Sequence, residues 1–421
     1  MVNSIDNQPP VKISRIKAGQ KKGELEKKND APPLKIKLSA DPQMKFDSTP
    51  DMSDNLGSLH NVMHYGIDRA EKWTSLNQSK WGRLATTVLL RSLTTLYANG
   101  LYHELGGHGA KYREYGCSPP HNMALPNFGQ IPKDDEEHNK CKAGLNQAQR
   151  VVATANGPNS TQFKAHDIIS NASARGSLEL SQAMAYIFAK LDYAAYAIRY
   201  FGLFEKFGDG GGDLAGYYTG MGFKHLDDLE QKYGIREVST RNLWNGTPNF
   251  PLHALTAGAI WTLLDPALYY SFKNSLRYIW SANRGVALPR ILPVPHFIMS
   301  ADGPEFRLVT HFRSRRLKNA VLSPYLGVTA THSDRSYNFG ASLTKLRLWR
   351  YTLNASFDVW KKPAGWGGGA GVELMYRLTD KLWIMGSPSL GGRMKCKTEG
   401  HNFVDPLKSG CTGSFSIATD V

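Results

Sequence analysis

The sequence predicts an α+β protein, a helical N-terminal half followed by a C-terminal antiparallel β-barrel or β-sheet domain. Two changes of pattern carry that expectation. From Asp54 the apolar residues Leu59, Val62, Met63 and Ile67 recur at spacings of three and four, the period of an amphipathic helix. From about Pro295 the period shortens to two, so that Tyr351, Leu353, Ala355, Phe357 and Val359 alternate with Thr352, Asn354, Ser356, Asp358 and Trp360. That is a strand with one apolar and one polar face. The 421 residues can hold two or three domains. The boundaries expected are 1–52 for a disordered basic leader, 53–290 for the helical domain and 291–421 for the β domain.

The leader takes much of the formal net charge of +15, with Lys12, Arg15, Lys17, Lys21, Lys22 and Lys27 among Pro, Gln and Asn. Such a composition buries too little apolar surface to fold. One alternating patch, Leu34 to Leu38, has the form of a strand that adds to another. No compact basic-aromatic motif accompanies the charge, so no specific nucleic-acid partner is expected. Met1 to Pro10 is polar and does not read as a secretory signal, which leaves a cytosolic chain or one whose signal has been removed. The cysteines favour removal. Cys117 with Cys141, and Cys396 with Cys411, make two local pairs, expected as disulfides formed in an oxidising compartment.

In the first helix Asp68, Arg69 and Glu71 are expected on the solvated side, with His60 and His64 as solvated or interfacial histidines. A long helix follows from Trp81 to Tyr115, and Arg91 interrupts its apolar run, which argues against a simple transmembrane helix. Near its end stands Tyr102-His103-Glu104-Leu105-Gly106-Gly107-His108-Gly109. Imidazoles four apart share a helix face, whereas the five-residue spacing here swings the second about 140° from the first. A one-residue π-bulge restores the alignment, and Gly106 and Gly107 make it easier.

The segment His103 to Gly109 resembles the zinc motif His-Glu-Leu-Leu-Gly-His-Gly of the dipeptidyl peptidase III family. The resemblance ends there, because that family's Glu-Glu motif is absent. More broadly the segment is similar to zincin-type metallopeptidases, which implies a zincin-like helical domain with His103 and His108 as Zn2+ ligands and Glu104 as general base. A zinc site needs a third ligand. Asp213, after the Gly210-Gly211-Gly212 run, is the first candidate, with Glu179 and His166 as alternatives. Gly116 to Gly144 is expected to be a connector, Ala155 to Gln162 a turn lining a pocket, and Ser177 to Tyr200 a helix. Leu252 to Phe272 is expected as a helix broken at Asp265-Pro266.

In the β half, Glu305–Phe312, 324–331, Tyr337–Leu343 and 414–418 repeat the alternation. The hairpins, notably Gly367 to Ile384, resemble those of bacterial outer-membrane barrels, although this chain ends Thr419-Asp420-Val421 where those commonly end on an aromatic residue. The resemblance implies a bacterial cell envelope location, in the outer membrane, with its lipid as partner. Periplasmic or secreted placement, and a soluble sheet packed on the helices, are the alternatives. The function expected is zinc-dependent hydrolysis of a peptide or protein substrate at the envelope. The alternative is a non-enzymatic barrel or binding protein carrying a vestigial motif.

Overall fold

The computed structural model describes residues 35–40, 49–117, 135–203, 250–300, 303–314, 316, 320–330, 335–362, 365–378, 389–397 and 410–420. The polar remainder of the leader, the part of the expected Gly367 to Ile384 hairpin from residue 379 on and the Gly-rich run before Asp213 lie outside them. Among the described residues nine strands form one antiparallel sheet. They are β1 (Lys35–Ala40), β4 (Ile291–Ser300), β5 (Gly303–Ser314), β6 (Ala320–Ala330), β7 (Arg335–Leu348), β8 (Tyr351–Lys362), β9 (Gly365–Arg377), β10 (Ser389–Lys397) and β11 (Gly410–Asp420). Their order is β1-β11-β10-β9-β8-β7-β6-β5-β4. A separate pair joins β2 (Ser177–Glu179) to β3 (Gly285–Ala287).

The alternating patch of the leader is therefore a strand, pairing Leu38 with Ile417 and Lys37 with Ala418. That corrects the 1–52 boundary, and the first helix, α1 (Thr49–Trp73), also begins before it. A continuous helical run follows: α2 (Lys80–Ala85), a π-helical stretch Thr86–Arg91, α3 (Ser92–Leu101), a second π-helical stretch Tyr102–Gly109, and α4 (Ala110–Glu114). Then come α5 (Glu136–Gly144), α6 (Gln147–Arg175), α7 (Leu180–Leu203), α8 (Phe250–Leu263) and α9 (Pro266–Ser281). The expected connector thus ends in a helix, α5, capped by the Asp135 side chain, which accepts from the His138 N–H. The disulfide between Cys117 and Cys141 ties α5 back to the end of α4. Cys396 is disulfide-bonded as well and stands opposite Cys411 in the β10–β11 register.

Burial runs inside out on the sheet. Leu308, Leu322, Leu326, Phe357, Leu374 and Ile417 are exposed on one face, while Glu305, His311, Ser323, Asn338, Glu373 and Ser416 are buried on the other. The buried face packs on α6, where the Ser170 hydroxyl meets Thr344 Oγ1 at 3.0 Å. An apolar core of Ala165, Ile169, Leu178, Tyr186, Leu268 and Val294, among others, joins α6, α7, α9 and β4.

The helices are inverted too, which corrects the expectation for α1. His60, His64, Asp68 and Glu71 are its buried side, and Leu59 and Val62 are exposed. In the helical run Arg83, Thr87, Arg91, Thr95, Asn99 and His103 point inward, while Val88, Leu89, Leu93 and Leu96 face out. The inward charges neutralise each other. Arg91 Nη2 lies 2.5 Å from Asp68 and 2.7 Å from Glu71, Arg284 pairs with the same two carboxylates, and the Tyr278 hydroxyl donates to Glu71 at 2.5 Å.

Among the described residues β1 and β4 stand at the two ends of the strand order and are not paired. Instead a helix side chain serves each edge. Asn55 of α1 accepts from Ser39 N and donates to Ser39 O, both at 3.0 Å. Asn159 of α6 accepts from Met299 N at 2.9 Å and donates to Met299 O at 2.6 Å. A side-chain amide reproduces the donor and acceptor that a neighbouring strand would present.

Candidate metal centre

The second π-helical stretch carries the motif. Three of its carbonyls take side-chain donors: Ser160 Oγ to Tyr102 O at 2.8 Å, Arg113 to Leu105 O at 3.1 Å and Asn156 Nδ2 to Gly107 O at 2.7 Å. Two of the donors come from α6, whose backbone touches the π-turn at a pair of glycines. A Cβ on Gly107 would lie 2.6 Å from Gly157 Cα and 2.7 Å from Asn156 O. The Ala155 to Gln162 stretch is therefore not a turn but the middle of α6, with Pro158 inside the helix. Proline removes one helical hydrogen bond and disturbs the preceding turn, and that turn supplies Ala153 O to the site.

The wide turn brings the two imidazoles together, with ring centroids 5.1 Å apart. His108 Nδ1 lies 2.8 Å from the Ala153 carbonyl and His103 Nδ1 lies 3.1 Å from Asp192 Oδ2. A carbonyl or carboxylate oxygen only accepts, so each ring donates from Nδ1, and the neutral imidazole then carries its lone pair on Nε2. Both Nε2 atoms then converge over Gly157, where a Cβ would fall on Nε2 of His108 and lie 2.6 Å from Nε2 of His103. The absent Cβ leaves a cradle between two lone pairs. Asp192 is held in turn by the Thr161 hydroxyl at 2.9 Å, the supporting arrangement usual behind metal-binding histidines.

Glu104 follows His103 directly and is half-buried. Lys164 of α6 is 4% exposed and places Nζ 4.0 Å from the centroid of the Tyr102 ring. His60 and His64 stack 4.3 Å apart in the interior, and His64 Nε2 meets Thr95 Oγ1 at 2.9 Å. They are buried rather than solvated or interfacial.

The third-ligand candidates do not join the pair among the described residues, where no three His, Cys, Asp or Glu side chains gather closely enough to hold an ion. Glu179 lies on β2 with its carboxylate beside Gly285. His166 clusters instead with His296 and His311 under the sheet, at 5.4 and 5.5 Å between centroids. Asp213 lies outside the described residues. Comparison with family models, curated proteins and solved structures finds no match for this chain. The site must speak through its own geometry.

Asp192, Ala153 and Gly157 were missed by reasoning from the sequence. A signal for Asp192 was present: Lys190 and Asp192 are the two charges in the apolar stretch from Ala183 to Ile198, and buried charges need partners. Lys190 finds Asp265 at 3.2 Å and the Pro295 carbonyl.

Proposed function

We propose that this chain is a zinc-dependent peptidase of the bacterial cell envelope, anchored by its β domain in the outer membrane. One observation supports the chemistry above the others: two Nε2 atoms, each on a ring held by a hydrogen bond at Nδ1, converge on one cradle over Gly157, and Glu104 is the residue next to His103 in the chain. The donor set suits zinc, which imidazole nitrogens bind readily. His103 and His108 would hold the ion, and Asp213 is the third ligand this reading keeps. A bound zinc ion would acidify a water molecule and polarise a peptide carbonyl. Glu104 takes a proton from the attacking water and gives it to the departing amine as the C–N bond breaks. Asp192 and Ala153 keep the imidazoles in the tautomer that can bind a cation. For the membrane, the support is the apolar outer and polar inner face of strands that run from 9 to 14 residues in β4–β11, the pattern of outer-membrane barrels.

The test is metal analysis of the purified protein together with peptide hydrolysis. About one zinc per chain is expected, lost in His103→Ala and His108→Ala. Glu104→Gln is expected to retain the zinc while hydrolysis falls by at least about 100-fold. A protein without metal, whose His108→Ala variant unfolds at the same urea concentration, would overturn the reading and favour the non-enzymatic alternative.

A further inference from the structure

The exposed apolar face of the sheet does not stop at its edges. Beyond β4 lie α8 and α9, beyond α9 lies α2, and beyond β1 lies α1, which packs on α3 and the second π-turn. Each element turns apolar residues outward. Ile260 and Leu263 of α8, Phe272 and Leu276 of α9, and Leu89 and Leu93 of the helical run are all between 44 and 63% exposed. Inward the same elements carry Arg91, Asp68 and Glu71, paired with one another and with Arg284 just beyond α9, and nearly out of reach of solvent. A water-soluble helix places these two classes of residue the other way round.

We infer that the helical half completes the membrane wall that the sheet begins, so that bilayer hydrocarbon covers α1, the helical run and α8–α9 as well as the strands. The inference rests on the outer-membrane reading above and adds to it that the helices are immersed rather than standing in water. Two further observations select lipid over another protein as the occupant. First, a bilayer core tolerates no open sheet edge, and here helix side chains reach the backbone at both edges: Ser58 and Asn55 meet Lys37 and Ser39 of β1, and Lys190 and Asn159 meet Pro295 and Met299 of β4. Second, one end of the helical half bears an aromatic and basic girdle. Trp73, Trp81 and Trp280 are 63–88% exposed, and Lys80 Nζ sits 3.2 Å over the Trp280 ring, with Arg277 one turn away. Tryptophan with lysine and arginine marks the headgroup layer, where anionic lipid is attracted. A single partner subunit would cover one side, whereas exposed apolar residues occur on the strands, α1, the helical run, α8 and α9 alike, with Lys273 and Arg277 as the exposed cations of α9. No helix among the described residues is long and apolar enough to cross a membrane by itself. Immersion here concerns one face of each helix, and the opposite face packs inside the protein, where α7 meets α3, α8 and α9 and α6 meets the second π-turn.

The experiment uses the full chain with its disulfides intact, reconstituted in vesicles of phosphatidylcholine and phosphatidylglycerol. Single cysteines at Leu93, Leu276, Leu326 and Lys140 carry an environment-sensitive fluorophore. Doxyl-labelled lipid is expected to quench the probes at Leu93 and Leu276 to within about twofold of the strand position Leu326, while iodide quenches only the probe at Lys140 on α5. If Leu326 is lipid-quenched but Leu93 and Leu276 answer to iodide, the helical half stands in water and the inference is overturned while the membrane reading survives. If Leu326 also answers to iodide, the membrane reading itself fails. Shielding of Leu93 and Leu276 from both quenchers would assign the face to a second copy or to another segment of the chain, and would overturn the inference too. All four are surface positions, so correct folding is checked by equal urea midpoints across the set.

Discussion

At His103 the carboxylate of Asp192 decides which ring nitrogen carries the proton. Replacing that carboxylate by an amide, Asp192→Asn, keeps the shape and removes the charge, so the imidazole is held less firmly and is less basic. A 10–100-fold loss of zinc affinity is expected, the usual size for such a supporting residue, read by competition with a chromophoric chelator. Unchanged affinity would strip Asp192 of that role. Gly157→Ala makes a sharper case, since the new methyl group occupies the cradle. Zinc content is expected to fall below about a tenth of wild type, although alanine favours a helix by about 1 kcal/mol. The motif residues were legible in the sequence because His103, Glu104 and His108 are neighbours. Asp192 is 89 positions from His103, and only folding reveals which of the distant carboxylates faces a given ring.

At the scale of elements, the five-residue spacing foretold a widened turn, and the second π-helical stretch is that turn. Its two glycines are not equivalent. A Cβ on Gly106 meets the flexible Leu56 side chain at 3.3 Å, whereas on Gly107 it meets the backbone of α6 at 2.6 Å. Gly106→Ala is therefore expected to shift the urea midpoint little, and Gly107→Ala to cost about 1–3 kcal/mol by pushing two helices apart. The middle of α6 was misread because Asn-Gly-Pro is turn chemistry in isolation. Its helix is held by packing on the π-turn, a tertiary effect no local pattern contains. The inversion of α1 was illegible for a different reason: periodicity gives the two faces but not which of them faces inward. Helix α5 offers a pH test. His138 is buried against Tyr112, with ring centroids 4.6 Å apart. Burial first, and Lys142 second, hold its pKa below the ordinary 6.5. The unfolded segment therefore binds more protons as the pH drops, so the docking of α5 is fully stable above about 6.5 and weakens below it. The protection of the α5 amides, taken relative to the intrinsic exchange rate at each pH, is expected to fall between pH 7.5 and 5.5, and His138→Phe to flatten that dependence.

For the whole molecule, the strands were legible from their period of two, and so was the leader's capacity to add one. How the sheet ends was not, because Asn55 and Asn159 look like any polar residue on a helix. A barrel satisfies its edge groups by pairing its first strand with its last; among the described residues β1 and β4 stand at the two ends of the strand order, and an amide serves one residue of each. Asn55→Leu and Asn159→Leu each keep the side-chain volume and orphan one backbone N–H and one C=O. At about 1–3 kcal/mol for each unsatisfied buried group, either variant is expected to lose about 2–6 kcal/mol of stability against urea. The two sites serve opposite ends of the sheet order and share no partner, so the losses should add to within about 0.5 kcal/mol in the double variant. A loss below about 0.5 kcal/mol in either single variant would mean that the edge groups find other partners. The amides would then be incidental, and the helices would lean on the sheet without completing it.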